Sequence, residues 1–330
     1  MPFFNHTVPA DFSKSERLDK YIASLEDGFN RSKLKSTATE IHVNEKPAKL
    51  SQKVKAGDII DIQWDENIPT DIAPENIPLN IIYEDEDVTV VNKEQGMVTH
   101  PAAGNWTGTL VNALLYHWGR EAIKELDESE DTQKILANRR PGIVHRLDKD
   151  TSGIIITAKN SDAHEWLSEQ FLHHNLHKEY ILITKGRPPA SAGDVQTQII
   201  RDPRDRKKYK AVVDTTEGKF ARTLYRVIAY YKNYSLIRVR LKTGRTHQIR
   251  VHMKYLGCPI LGDPIYGKPD ELFKNATLML HSRQIDIKLP GKDDFVRFKA
   301  AVPERFHSVI KTLKENFNKE VPELPKKFKK

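Results

Sequence analysis

A succession of short strand signals between residues 178 and 242 most restricts what this 330-residue chain can fold into. The segments are rich in β-branched and aromatic residues, and several alternate polar with apolar side chains. Such alternation is typical of a strand with one covered face, so it predicts an antiparallel or mixed sheet. The four segments are 180–183, 210–213, 223–228 and 236–241.

Proline and charge patterns divide the chain into five parts. Residues 81–83 and 87–91 predict a hairpin that opens a large domain, while the three prolines of residues 65–78 indicate a linker before it. The predicted class is α+β, with a central sheet, a cleft and a smaller domain ahead. The divisions are an N-terminal extension (1–12), a small domain (13–64), a linker (65–78), a large domain (79–310) and a basic C-terminal tail (311–330).

The small domain combines helix and strand signals. Ser13 or Ser15 could cap a first helix, and a second short helix could begin near Asn30. Strands follow at 41–43 and 58–62. The apolar face of the first helix consists of Leu18, Tyr21, Ile22 and Leu25.

Charge and cysteine content restrict the functional class. The net charge is +8, from 53 basic and 45 acidic residues, which fits a polyanionic partner. Cys258 is the one cysteine, so a disulfide framework or a cysteine zinc site is excluded. No apolar run approaches the ~18 residues of a membrane span, and the first residues lack the pattern of an export signal. We therefore expect a soluble, cytoplasmic protein with no membrane partner.

The stretch from Gly142 to Gly153 holds a carboxylate, Asp148, two residues after Arg146. The β-branched run at 154–157 after it predicts a buried strand, so Asp148 lies on a loop that leads into the core. A carboxylate held there beside an arginine stays ionised and could act as a nucleophile or base. The alternative is that Asp148 closes a surface turn and pairs with Arg146 or Lys149.

A second constellation runs from Lys242 to His252, where a strand ends and a helix is predicted from His247 to Leu256. Arg245 lies at the turn, and His247 and Arg250 share a helix face because they are three residues apart. His247 and His252 are five apart, a spacing unsuited to joint metal ligation, so no metal is expected. The alternatives are a basic helix on phosphate, or a metal-dependent nuclease using His145, His247, His252 and Asp263.

The remaining motifs restrict the reactions and cofactors that are compatible with this chain. The chain contains no phosphate-binding glycine loop, no dinucleotide fingerprint and no nucleophile-elbow serine, so no nucleotide cofactor is expected. A basic loop with tyrosine at 201–210 suits RNA phosphate contact with stacking. One carboxylate and an arginine could rearrange the glycosidic bond of a base in RNA. Such an enzyme must extrude its target nucleotide from a folded RNA.

These motifs resemble the RluA/RluD family of pseudouridine synthases. The residues 13–64 also resemble the S-four RNA-binding domain that precedes the catalytic domain in the RluD-like branch. The catalytic-domain matches are His145 to Gly153, Thr243 to Arg250, Asn92-Lys93 with Gly96, His100-Pro101 and Gly104, Lys178 with Tyr180, and Leu261 to Gly267. The small-domain matches are Arg17 to Tyr21, Arg31-Ser32, Val43-Asn44 and Val54 to Asp58.

The resemblance implies a role for each matching residue. Asp148 would be the catalytic aspartate, Arg245 would pair with it, Tyr180 would pack under the flipped uracil, and Arg146 would fill the gap in the RNA stack. Whether Asp148 attacks ribose C1′, removes a proton or adds to uracil C6 stays open. The other residues expected to contact RNA are Lys93, His145, His247, Arg250, Arg17, Arg31 and Lys33.

The resemblance also implies a reaction and a partner. Uridine would be isomerised to pseudouridine without cofactor or metal, in large-subunit ribosomal RNA. Separately from the resemblance, we expect a monomer. The alternative from another class is a non-catalytic RNA-binding or ribosome-assembly factor with the same basic surfaces. The set of Asp148, Tyr180 and Arg245 favours the enzyme, because a pure binder does not need it.

Overall fold

The computed structural model describes residues 3–25, 34, 38–64, 72–102, 105–120, 142–205, 207–323 and 325. The chain divides into two compact units. The small unit consists of residues 1–72 with 102–106, and the large unit of residues 73–101 with 107–330. The division between Ile72 and Ala73 falls inside the predicted linker, of which residues 65–71 lie outside the described part.

The small unit contains a four-stranded antiparallel sheet, a two-stranded ribbon and a short helix. The sheet order is β1 (Phe3–Thr7), β6 (Ile59–Trp64), β3 (Ala38–Val43) and β4 (Lys46–Pro47). The ribbon pairs β2 (Glu16–Arg17) with β5 (Lys53–Val54), and α1 is Leu18–Ile22. The two strands predicted for this region are confirmed, and β1 adds a third within the segment assigned as an extension.

The helix α1 is shorter than predicted. Its N-cap is Arg17, without a side-chain cap, because Glu16 and Arg17 are held in the ribbon with β5. The predicted serine caps are therefore wrong. The predicted apolar face is confirmed, since Leu18, Tyr21 and Ile22 are buried in the core of this unit. The helix predicted from Asn30 falls on residues that lie outside the described part, apart from Leu34.

The turn between β3 and β4 offers a stabilising substitution. Asn44 and Glu45 both have positive φ, 53° and 63°, between the paired residues Val43 and Lys46. A two-residue turn of this geometry prefers Asn-Gly, because a side chain in the left-handed region costs about 1 kcal/mol. We expect Glu45→Gly to stabilise this sheet by about that amount. The measurement is amide exchange over residues 38–64, which should slow in the variant, and unchanged exchange would contradict the assignment.

The large unit is built on an eleven-stranded mixed sheet. Its order is β12 (Tyr209–Val212), β11 (Ala192–Arg201), β13 (Lys219–Tyr231), β14 (Tyr234–Leu241), β10 (His177–Lys185), β15 (Leu280–Lys288), β9 (Ser152–Ala158), β8 (Val88–Lys93) and β7 (Ile81–Glu84), with β16 (Phe295–Lys299) on β15 and β17 (Lys319–Glu320) on β13. All pairs are antiparallel except β9 with β15. The predicted hairpin and the predicted mixed sheet are confirmed.

Four helices cover this sheet within the described residues: α2 (Leu110–His117), α3 (Ser161–Leu172), α4 (Gln248–Tyr255) and α5 (Glu304–Asn316). The helix predicted at 247–256 is confirmed as α4. Helix α3 begins at Asn160, whose side chain accepts from Ala163 N, and it packs Ala163 and Leu167 into the main core. Helix α5 extends into the segment assigned as the tail, because Phe306, Val309 and Leu313 form one buried stripe.

The parallel pair β9–β15 places the loop that carries Asp148. Gly153, at φ 113°, lies at this junction opposite Ser282. A Cβ at Gly153 would lie 2.1 Å from the Ser282 carbonyl oxygen, so no larger residue fits. The start of β9 therefore depends on glycine, and the loop before it depends on β9.

We expect Gly153→Ala to destabilise the protein by about 3 kcal/mol or more, because overpacking and a left-handed backbone both contribute. The measurement is the urea unfolding midpoint. Gly291→Ala is the matched control: Gly291 has a φ of 68°, but a Cβ there meets nothing within 4 Å. This control should lose only about 1 kcal/mol. Equal losses in the two variants would show that the Ser282 contact is unimportant.

Candidate functional site

A cavity of about 400 Å³ lies in the large unit, a size suited to a small organic group. Its lining comes mainly from four places: residues 144–148 with Thr151, the end of α3 with His174, the start of β10 with Lys178 and Tyr180, and residues 244–250 at the start of α4. Asp148 is the one carboxylate among the described residues that line it, and its side chain is 20% exposed. The structure therefore brings together the two motifs that the sequence placed about a hundred residues apart.

Hydrogen bonds from residues 95–99 hold the backbone of the loop before β9 in place. Thr99 donates to Leu147 O at 2.9 Å, Gly96 N to Lys149 O at 2.9 Å, and Gln95 to Asp150 O at 2.7 Å. The loop closes on itself through Thr151 N and Asp148 O at 3.0 Å. Asp148 is therefore held on a fixed backbone that projects its side chain into the cavity.

Lys93 also helps to hold this loop in place. It is 1% exposed, and its ammonium donates to the carbonyls of Glu94, Met97 and Lys149. Burial lowers its pKa to about 8, although Asp148 and Asp150 oppose that shift. Its three donors are already used inside the protein, so Lys93 holds the loop here, and its contact with RNA stays a prediction.

The cation beside Asp148 is Arg250. Its Nη1 lies 3.2 Å from Asp148 Oδ2, and its Nε and Nη2 each lie 2.8 Å from an oxygen of Asp263. Arg250 is 2% exposed and holds two carboxylates, so its contact with RNA stays a prediction. Burial disfavours the charged forms, but the mutual hydrogen bonds raise the pKa of Arg250 and lower that of Asp263. Two carboxylates thus hold one guanidinium, and only Asp148 faces the cavity.

The predicted pair of Arg245 with Asp148 is not formed. Arg245 Nε donates to Phe220 O at 2.9 Å, and its backbone N donates to Gln248 Oε1 at 2.9 Å. The Gln248 side chain thus holds the turn in place, and the Arg245 side chain points towards β13. Arg245 still lines the cavity, but a position more than one helical turn later supplies the partner of Asp148.

His247 lies between Asp148 and a tyrosine. It adopts a left-handed backbone at the N-cap of α4, with Nδ1 2.8 Å from Tyr266 Oη and Nε2 3.8 Å from Asp148 Oδ2. Burial lowers the pKa of His247, and the Asp148 charge opposes that effect. His247 therefore contributes to the wall around the carboxylate and lines the cavity, and its contact with RNA stays a prediction.

Tyr180 presents a buried phenol to the cavity. It is 6% exposed, and burial raises its pKa to about 12; the nearby Asp148 charge adds to this, whereas a hydrogen bond to Ser282 opposes it. The hydroxyl is therefore protonated at neutral pH. Strand alternation places Tyr180 and Lys178 on the same sheet face.

His145 and Arg146 are adjacent in sequence but differ sharply in their contacts and exposure. His145 stacks on Phe171 at 4.5 Å, and its Nε2 accepts from Ile156 N. Burial, with the charge of Lys178, lowers its pKa to about 3, so it is neutral and cannot attract phosphate as a cation. Arg146 is exposed at the cavity, and within the described part of the chain it has no hydrogen bond or ion pair.

The basic residues predicted for the small domain are only partly described. Arg17 binds Asp19 at 2.9 Å and keeps 40% of its side chain exposed. Arg31 and Lys33 lie outside the described residues.

The residues of the metal alternative already have other partners. His252 contacts Thr197 and Thr223, and Asp263 binds Arg250. In the described ranges, no three His, Cys, Asp or Glu side chains come together to hold a metal ion. Over the same ranges, none of the helices has the length and apolarity needed to cross a bilayer.

Sequence reasoning missed the role of Arg250 and Asp263. It recorded both residues, one as an RNA contact and one in the Leu261–Gly267 motif. The available signal was that Arg250 points to the same helix face as His247, whereas Arg245 precedes the helix. The loop of Asp263 depends on Gly262, at φ 72°, where a Cβ would lie 2.2 Å from Thr277 O.

Comparison with known proteins now identifies the family. The model of the RNA pseudouridylate synthase family matches residues 87–255. Ribosomal large subunit pseudouridine synthase D of Borreliella burgdorferi is 44% identical over 308 residues, covering 91% of each chain. The uncharacterized RNA pseudouridine synthase YlyB of Bacillus subtilis is 38% identical over 305 residues, covering 92% of this chain and 96% of its own.

A solved structure shows the same fold. Human RNA pseudouridylate synthase domain containing 1 superposes with a TM-score of 0.55 at 22% identity, covering 77% of this chain and 93% of its own. The sheet, the cavity and the relatives define an RNA-modifying isomerase. The chain belongs to the RNA pseudouridylate synthase family, in the RluA group that its motifs resemble. It is an RNA pseudouridine synthase, which decides against a non-catalytic RNA-binding factor.

Proposed function

We propose that this chain modifies large-subunit ribosomal RNA, with Asp148 as the catalytic carboxylate. One observation carries the assignment: among the described residues that line the nucleoside-sized cavity, Asp148 is the one acid, and its Oδ2 lies 3.2 Å from a fixed guanidinium. A neighbouring cation favours the ionised form that a nucleophile or base requires. Arg250, and not Arg245, supplies this effect.

Each remaining cavity residue receives a role from its environment. Tyr180 offers a protonated, immobile ring beneath a uracil, and Asp263 positions Arg250 from behind. Arg146 is exposed next to the carboxylate, so its planar guanidinium can occupy the space left by the extruded uridine. His247 completes the wall near Asp148, and His145 supports Phe171 as a neutral ring.

The reaction breaks the bond from ribose C1′ to uracil N1 and forms a bond from C1′ to uracil C5. The proton on C5 is lost, and N1 gains one, so composition does not change. An ionised Asp148 can begin this by attacking C1′, by removing a proton from the ribose, or by adding to uracil C6. In every route the cavity must hold the uracil while it turns after its bond to the ribose has broken, which is the task of Tyr180.

The small unit is proposed to bind RNA as an S-four-like domain over residues 13–64. The exposed part of Arg17 supports this role, with Arg31 and Lys33 as further contacts. The domain divisions of the sequence analysis are kept in this proposal, with β1 and α5 as additions to the neighbouring domains. The protein is proposed to act as a monomer in the cytoplasm, where ribosomal RNA is available to it.

The test is modification of unmodified transcripts of large-subunit ribosomal RNA and of transfer RNA. The wild-type chain should produce pseudouridine at a small number of uridines in the ribosomal transcript, as mapped by carbodiimide adducts and primer extension. The transfer RNA should show none. Modification of transfer RNA alone would overturn the proposed substrate while leaving the family unaffected.

A further inference from the structure

Two cationic side chains and a histidine meet at one edge of the cavity, and the reaction at Asp148 does not use them. Lys178 comes from β10, Arg245 from the turn before α4, and His174 from the residues after α3. All three line the cavity. We propose that this cationic wall binds one backbone phosphate of the RNA next to the target uridine, an inference that rests on the proposed function.

The three groups are close enough to act on one ligand. A Cβ at Gly244 would lie 3.4 Å from Lys178 Nζ, so the ammonium sits beside the backbone just before Arg245. Burial lowers the pKa of His174, and the charges of Lys178 and Arg245 lower it further, so their fields converge there. The two cations therefore form a site for one oxyanion, with the His174 imidazole beside it.

No carboxylate of the described residues neutralises this wall. Glu179 is next to Lys178 in sequence, but alternation sends it to the other sheet face, where it pairs with Arg238 and Arg240. Asp148 is committed to Arg250. The protein thus leaves a concentration of positive charge uncompensated beside its reaction cavity.

The Lys178 ammonium lacks an anionic partner within the described part of the chain. Its ammonium lies 5.3 Å from the centre of the Phe171 ring, and within the described part of the chain it has no hydrogen bond or ion pair. Burial lowers its pKa to about 8. A half-buried ammonium with unused donors is unfavourable unless a ligand supplies an anion. A phosphodiester provides both the charge and the acceptor oxygens.

The first test compares RNA affinity of the full-length Lys178→Met variant with that of wild type across a salt series. The probe is an unmodified transcript of large-subunit ribosomal RNA. Loss of one phosphate contact should weaken binding about 10-fold and reduce the slope of log K against log salt by about one. Lys299→Met, an exposed lysine in β16 away from the cavity, is the control and should leave the slope unchanged.

The second test uses pH. The groups facing Lys178 are His145, His174, Arg245 and Tyr180, with Leu241 and Ile285 as its apolar strand partners. The two histidines have lowered pKa values and Tyr180 titrates near 12, so Lys178 is the group that changes charge between pH 7 and 9. Wild-type affinity should fall as pH rises through about 8. Lys178→Arg should bind tightly and lose this dependence, because its side chain stays charged.

The outcomes separate this inference from the proposed function. An unchanged salt slope in Lys178→Met, or the same pH dependence in Lys178→Arg, would show that Lys178 only packs on Phe171, and the phosphate site would be rejected. If wild type modifies no ribosomal transcript, the proposed substrate fails, whatever the affinity data show. A reduced slope together with the loss of pH dependence supports the phosphate site.

Discussion

Asp148→Asn is expected to lower kcat for pseudouridine formation by about 10³-fold or more, with RNA affinity within a few-fold of wild type. The amide cannot act as a nucleophile or base, and groups in that position contribute about 10²–10⁴-fold. It keeps the shape of the carboxylate and can still accept from Arg250. The measurement is single-turnover pseudouridine formation at saturating enzyme, with affinity from filter binding.

The fold should survive this substitution. Arg250 keeps its two contacts with Asp263, so no buried cation is left unpaired. Asp150→Asn is the matched control, because Asp150 belongs to the same turn but does not line the cavity. Its kcat should stay within about 3-fold of wild type, as for most substitutions away from the chemistry. Comparable losses in both variants would point to damage of the loop instead of a chemical role for Asp148.

Much of the fold was predictable because its strands carry local signals. The run at 154–157 is β-branched and lies in the fully buried β9, and 223–228 alternates and lies within β13. β11 was missed because it contains Gly193 and several polar residues. Its exposed Asp194 is satisfied by Arg222 on β13, a partner supplied by another strand. Signals that depend on a distant partner are not visible along the chain.

The same distinction between local signals and distant partners applies to the residues of the site. Asp148 could be located from its loop before a β-branched strand, whereas the role expected of Tyr180 came from the family resemblance. The choice between Arg245 and Arg250 had one local signal, the helix face that Arg250 shares with His247, but that signal does not settle it because both arginines follow Gly244 within six residues. It depends on Gln248, which accepts from Arg245 N, and on Asp263, which fixes Arg250 from another loop. The burial of Lys93 and the lowered pKa of His145 likewise depend on residues from other parts of the chain, so neither could be predicted locally.

Arg250→Lys is therefore expected to reduce kcat by about 10²-fold, the size of losing one preorganised electrostatic contact. A lysine cannot make the two parallel bonds to Asp263 and also reach Asp148. Lysine is the informative replacement because it retains the charge. Arg250→Met would leave Asp263 buried and unpaired, costing about 3–5 kcal/mol and confusing activity with folding. The measurement is single-turnover kcat, after urea unfolding has shown that the variant is folded.

Arg245→Lys is the paired experiment, because it removes a guanidinium from the same cavity without touching Asp148. Its effect should appear in KM, with the salt slope little changed because a lysine keeps the charge, and with kcat within about 3-fold of wild type. If Arg245→Lys lost as much kcat as Arg250→Lys, Arg245 would have to reach Asp148 once RNA is bound. In that case the pairing predicted from sequence would hold in the complex, and the free protein would show only the resting arrangement.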